Sequence, residues 1–123
     1  SADGSIGIIE VGSRMGGDCI GSDLVYLSTG MDFLKMVIDV AAGKVPDLTP
    51  AFPPRAAAVR FIFSQEDLDV LERIREKAPE ALYRVSKIQP LSSHKIVDSG
   101  TRFGHYILSC GDAEACRMLS ELC

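Results

Sequence analysis

The chain is short of the residues from which many hydrolytic and metal sites are built. Its 123 residues include two histidines, His94 and His105, and four cysteines, at positions 19, 110, 116 and 123. No two cysteines stand in a Cys-x-x-Cys pair, and structural zinc sites generally use closely paired ligands, which argues against zinc. Reduced thiols in a cytoplasmic protein are the expectation that follows. There is no Gly-x-Ser-x-Gly elbow and no P-loop lysine motif. A basic surplus is also missing: the net charge is -4 with a pI near 5.1, which speaks against nucleic acid as a partner. No apolar run approaches the roughly 20 residues that a membrane helix needs. Ser1 to Gly4 carry neither the basic region nor the apolar stretch of a signal peptide. No internal repeat or low-complexity segment is present.

What remains is a globular composition, 46% hydrophobic and 24% charged, in a chain long enough for one modest core. Asp3-Gly4 is a hairpin-turn dipeptide, and the apolar run Ile6 to Ile9 after it reads as a strand. A hairpin turn needs an earlier strand, so the chain reads as starting inside a sheet, as a fragment or excised domain. The first strand is then left with an unpaired edge, which invites pairing with another chain, and a homodimer is expected.

The most specific chemistry follows that run, in Glu10-Val11-Gly12-Ser13-Arg14-Met15-Gly16-Gly17-Asp18. A carboxylate at a strand end, a guanidinium four residues on and a Gly-Gly turn suit Mg²⁺ and phosphate oxygens. Mg²⁺ is usually bound by one or two carboxylates with phosphates and water. Arg matches phosphate or carboxylate oxygens with its planar fork of donors. Glycines let backbone N–H groups approach an anion.

At these residues the chain resembles the ATP-grasp superfamily of carboxylate–amine ligases. Glu10 and Arg14 match the family's metal-binding Glu and the Arg that follows it. Gly12 stands where many members place Asn, so one usual metal ligand is missing. The stretch Arg14 to Asp18, then Leu27 to Phe33, is similar to the amino-acid-ligase or biotin-carboxylase-like branch. The likeness continues through Ala41-Ala42-Gly43 and, more weakly, to Gly104 and the last helix. It implies a C-terminal portion of a ligase that forms an acyl phosphate from ATP and a carboxylate, then couples it to an amine. It also implies that Glu10 holds Mg²⁺ against the ATP phosphates. Arg14 then stabilises the transferred phosphoryl group or tetrahedral intermediate, and Gly16 and Gly17 offer backbone donors. By itself such a portion is expected to be inactive and to show no saturable binding of Mg-ATP. The alternative is a non-catalytic α+β module for small-molecule binding or dimerisation.

Other candidates carry bland and sharp readings side by side. Asp18 and Asp23 either orient Arg14 or bind a substrate amine, or are solvated turn residues. Cys19 reads as a small buried thiol, with only Arg14 nearby in sequence to activate it. His105 lies in an apolar strand and reads as a sheet residue; His94, among polar neighbours, either touches a ligand or does not.

The pattern along the chain predicts an α+β fold with a mostly antiparallel sheet and helices on one face, in three parts. By the same resemblance residues 1–45 are expected to form the end of an ATP-grasp core, with 46–57 a Pro-rich linker and 58–123 a small C-terminal α+β subdomain. Residues 13–30 read as a Gly/Ser/Asp-rich loop with a short helical turn. Ser28 to Asp32 opens a helix, with Thr29 as cap, whose apolar stripe is expected to pack; Gly43 and Pro46 end it. Strands are expected at Ala57 to Phe63, Leu82 to Ile88, His94 to Asp98 and Phe103 to Cys110. A helix capped by Ser64 to Asp67 ends before Pro79, and a last one follows Gly111-Asp112.

Overall fold

The computed structural model describes positions 4, 6–8, 10, 12 and 14–111. The expected final helix after Gly111 lies outside these residues. The fold is α+β, with three antiparallel strands and three α-helices among the described residues. No described helix is long and apolar enough to cross a membrane.

The leading apolar run forms no strand over Ile6–Ile8, where the two isoleucines are exposed. A strand needs a ladder partner, and among the described residues the three strands of the sheet pair with one another alone. A turn is closed at Gly17, where Ile20 N–H donates to the Gly17 carbonyl at 2.9 Å. Asp18 and Cys19 then both take left-handed backbone angles, with φ of 52° and 66°. Such angles are uncommon for residues with a Cβ, Asp being more tolerant than most. They launch a π-helical turn, Ile20–Leu24, that runs directly into α1, Val25–Thr29. The wider turn is visible in Leu24 N–H reaching the Cys19 carbonyl, five residues back, at 2.9 Å.

Gly30, at φ 75°, closes α1. Asp32, rather than Thr29, caps α2, Phe33–Ala41, accepting from Lys35 N–H at 2.9 Å. Thr29 instead turns its hydroxyl back onto the Val25 carbonyl at 2.7 Å. The apolar stripe of α2 does not pack as its periodicity suggests: no residue of the helix is buried, and Ile38 and Val40 are largely exposed. The proline-rich connection that follows is stitched to α1. Ala51 N–H donates to the Gly30 carbonyl and Arg55 N–H to that of Ser28, at 2.8 and 2.9 Å. Phe52 sets its ring edge-on to Tyr26, with centroids 5.4 Å apart, beneath the guanidinium of Arg55.

Strand β1 is Ala56–Ile62, α3 is Gln65–Lys77, β2 is Leu82–Val85 and β3 is Gly104–Cys110. The order across the sheet is β1-β3-β2, with β3 antiparallel to both neighbours. β2 carries a bulge between Leu82 and Arg84 and ends at Val85, short of the pattern from Leu82 to Ile88, although Ser86 N–H and Gln89 N–H still donate to the His105 and Phe103 carbonyls at 2.9 and 2.8 Å. No strand forms over His94 to Asp98. There Asp98 accepts from Gly100 and Thr101 N–H, building a 3₁₀ turn, Ser99–Thr101, which takes the place of a ladder.

Ser64 and Asp67 form the capping box that starts α3. The helix lays Val70, Leu71 and Ile74 on one sheet face, against Ile62, Tyr106 and Leu108, all nearly or fully buried. Burial of each such side chain contributes on the order of 1.5–3 kcal/mol. Successive strand residues point to opposite faces, so Phe61, His105 and Ile107 look the other way. That second face meets the π turn and α1, which contributes the buried Leu27. The sheet is thus held between α3 and the Ile20–Thr29 segment.

Candidate functional site

The residues singled out for phosphate chemistry sit on the exposed leading segment. Glu10, Gly12, Arg14, Gly16 and Gly17 are all exposed. Arg14 uses Nη1 on the neighbouring Met15 carbonyl at 3.1 Å. A side chain at Gly17 would meet nothing within 4 Å, whereas one at Gly16 would crowd Ile20 at 3.1 Å. The Gly-Gly turn is therefore tight on one side and open on the other. Among the described residues no three His, Cys, Asp or Glu side chains gather as a ready-made metal cage. Glu10 alone is a donor set suited only to an ion that takes most of its ligands from phosphates and water, which is how Mg²⁺ is usually held.

Immediately after the glycines the structure gathers side chains far apart in sequence. Asp18 is paired with Arg102, whose two terminal nitrogens lie 2.8 and 3.4 Å from the carboxylate oxygens. The Arg102 guanidinium also lies 3.8 Å from the centre of the Phe61 ring. Asp23 is buried; its Oδ2 accepts from Arg84 at 2.9 Å and from the Ser22 hydroxyl at 2.6 Å. Burial acts to lower the pKa of Arg84, but the bond to Asp23 and its charge outweigh this and raise it. Each acid is paired with an arginine of the second half; Asp23 is buried, whereas Asp18 is an exposed turn residue that also holds Arg102.

Between the two pairs stands Cys19. Its Sγ lies 3.6 Å from His105 Nε2 and 3.9 Å from the nearest Arg84 nitrogen. The strand register explains the meeting: His105 sits opposite Phe61 and projects from the face that the π turn covers. Cys19 is free and partly buried. It borders a cleft of about 310 Å³ that also involves Phe61, Ser99, Arg102 and His105. Cys110, by contrast, is disulfide-bonded, which departs from the expectation of reduced thiols throughout.

Near Cys19 in sequence only Arg14 could activate the thiol, but the fold brings in distant groups. Its partners are 65 and 86 positions away, and no local pattern signals them. One hint did exist: a histidine in an apolar strand must face one side of the sheet or the other, and something polar has to meet it. His94 is placed elsewhere. Its Nε2 is 2.8 Å from the Thr101 carbonyl, its Nδ1 is 2.8 Å from the Ser93 hydroxyl, and its ring packs on Phe103. These contacts make it a fastener of the loop before β3. Comparison with protein-family models, curated proteins and solved structures found no match to the chain.

Proposed function

We propose that the chain is the C-terminal portion of an ATP-dependent carboxylate–amine ligase of the ATP-grasp kind, working on small amino-acid-like substrates. The observation that carries this reading is the run from Glu10 to Asp18, which resembles that family at Glu10 and Arg14 and departs from it at Gly12. Its surroundings are consistent with such a role. Glu10, Arg14 and Gly17 are open to an incoming ligand, while Asp18 and Asp23 just after them are tied down by Arg102 and Arg84. A loop fixed at one end and open at the other can present donors without losing its shape.

In this proposal Glu10 would hold Mg²⁺ together with the phosphates of ATP, and the ion would offset phosphate charge. Arg14 would pair with charge that develops on the transferring phosphoryl group or the tetrahedral intermediate. Gly16 and Gly17 would offer backbone donors to an acyl phosphate or substrate carboxylate. Positioning and charge neutralisation supply most of the catalysis in phosphoryl transfer.

The test uses the protein that carries this chain together with its nucleotide-binding residues, and measures ADP release that requires both a carboxylate and an amine. Glu10→Gln should lower kcat/KM by roughly 100-fold, the scale of losing one charge-stabilising group. Arg14→Ala should lower kcat far more than it raises the KM for ATP, because its partner charge exists only during transfer. Near-normal turnover in both variants removes the assignment. Self-association belongs to the same proposal: β1 and β2 are the outer strands, each with one edge unpaired by the other described strands.

A further inference from the structure

We infer that Cys19, His105 and Arg84 form a reactive-thiol site that accepts a small disulfide, independently of any ligase role for Glu10 and Arg14. Thiols become nucleophilic where a base can take the proton and positive charge can hold the sulfur anion. Both are in place. His105 Nε2 is 3.6 Å from Sγ, within reach for proton transfer, and the Arg84 guanidinium approaches the same sulfur at 3.9 Å.

The backbone fixes this arrangement. Cys19 is held at φ 66° between a turn and a π-helical segment, and π turns recur at functional sites. Asp23 anchors the far side of the cysteine to β2 through Arg84, and Asp18 anchors the near side to the loop before β3 through Arg102. The same two ion pairs compensate the arginines, so charge does not select the reaction partner. Size does: a cleft of about 310 Å³ suits a small molecule.

The step balances without a further reagent. The Cys19 proton passes to His105 Nε2, and the sulfur attacks one sulfur of the disulfide. The S–S bond breaks, a mixed disulfide forms at Cys19, and the leaving thiolate takes the proton from His105. One disulfide is consumed and one is formed, so electrons balance.

The folded 123-residue chain is incubated at pH 7 with oxidised glutathione and, separately, with the neutral bis(2-hydroxyethyl) disulfide, and the adducts are mapped by peptide mass spectrometry. Cys19 should react with both reagents, at least about tenfold faster than the same cysteine in denaturant, the scale expected of a positioned base. His105→Gln should remove most of that advantage, and Arg84→Gln part of it. Circular dichroism establishes that each variant is folded. Alkylation by iodoacetamide, which needs the thiolate but no disulfide, should fall in parallel. Equal rates in the folded and denatured chain overturn the inference, as does a folded His105→Gln variant that reacts like the wild type. A ligase that loses activity in Glu10→Gln leaves this result untouched, so the two readings fail separately.

Discussion

Replacing Asp67 by Asn tests how the second half of the chain is held, because this carboxylate ties three elements together. Oδ2 accepts from the N–H of Phe63 at 2.9 Å, the N–H of Ser64 at 3.1 Å and, more loosely, the Ser64 hydroxyl at 3.4 Å. Oδ1 accepts from Arg60 Nε at 3.0 Å, and the side chain is only 13% exposed. Burial acts to raise its pKa, but the Phe63 N–H, Arg60 and the Ser64 N–H outweigh that and hold it below the ordinary 3.8. Asn can keep its oxygen on the helix cap only by turning its NH₂ toward Arg60, donor against donor. The loss is then the charge assistance on the cap plus the Arg60 bond, about 1–2 kcal/mol. For a domain of this size that is roughly 5 °C in Tm.

The pH dependence sharpens the test. A carboxylate with a lowered folded pKa binds fewer protons folded than unfolded between the two values, so stability rises with pH across that window. Its contribution is complete above 3.8 and is lost as pH falls through the lower, folded value. Protonated Asp67 resembles Asn in having one acceptor and one donor, so the gap between wild type and Asp67→Asn should close in acid. Thermal melts followed by circular dichroism at pH 7 and at steps below pH 4 measure it. Equal Tm at pH 7, or a gap that stays constant into acid, refutes the reasoning.

Two further outcomes follow from the geometry. Gly30→Ala should destabilise by more than the roughly 1–2 kcal/mol of an ordinary left-handed residue, because its Cβ would also stand 2.7 Å from the Phe52 carbonyl oxygen. Urea denaturation checks it, and a change below 1 kcal/mol would show that the proline-rich connection moves freely away from α1. Sedimentation at increasing concentration should show a dimer if an outer strand pairs with a second copy; a monomer at the highest concentration counts against that part of the proposal.

Where signals are local, the sequence was a good guide to this fold. The Ser64–Asp67 box and the apolar stripe of α3 are contained within single turns of chain, and both formed. β1 and β3 stand within one residue of their apolar patterns. Errors arose where a neighbour decides the outcome. Ile6–Ile8 have the composition of a strand and no ladder to join, while α2 has the stripe of a packed helix and leaves it exposed. At the candidate site, Glu10, Arg14, Gly16 and Gly17 stand out in the sequence by residue type, but their exposed placement does not. The Asp18–Arg102, Asp23–Arg84 and Cys19–His105 meetings depend on the sheet register and on the π turn covering its second face. Neither can be read from residues 14–23 alone.

The strand order has a consequence for how the chain is made. β3 pairs with both β1 and β2, which do not pair with each other. During synthesis the first two strands therefore emerge without a partner and wait for residues 104–110. Until then Ala56–Ile62 can lean only on helices, and Leu82–Val85 has no ladder at all. Pairings this distant in sequence form slowly, since the intervening loop must close before any contact stabilises it. A nascent chain stalled before Gly104 would expose both incomplete edges at once, and that interval is when a chaperone has most to hold.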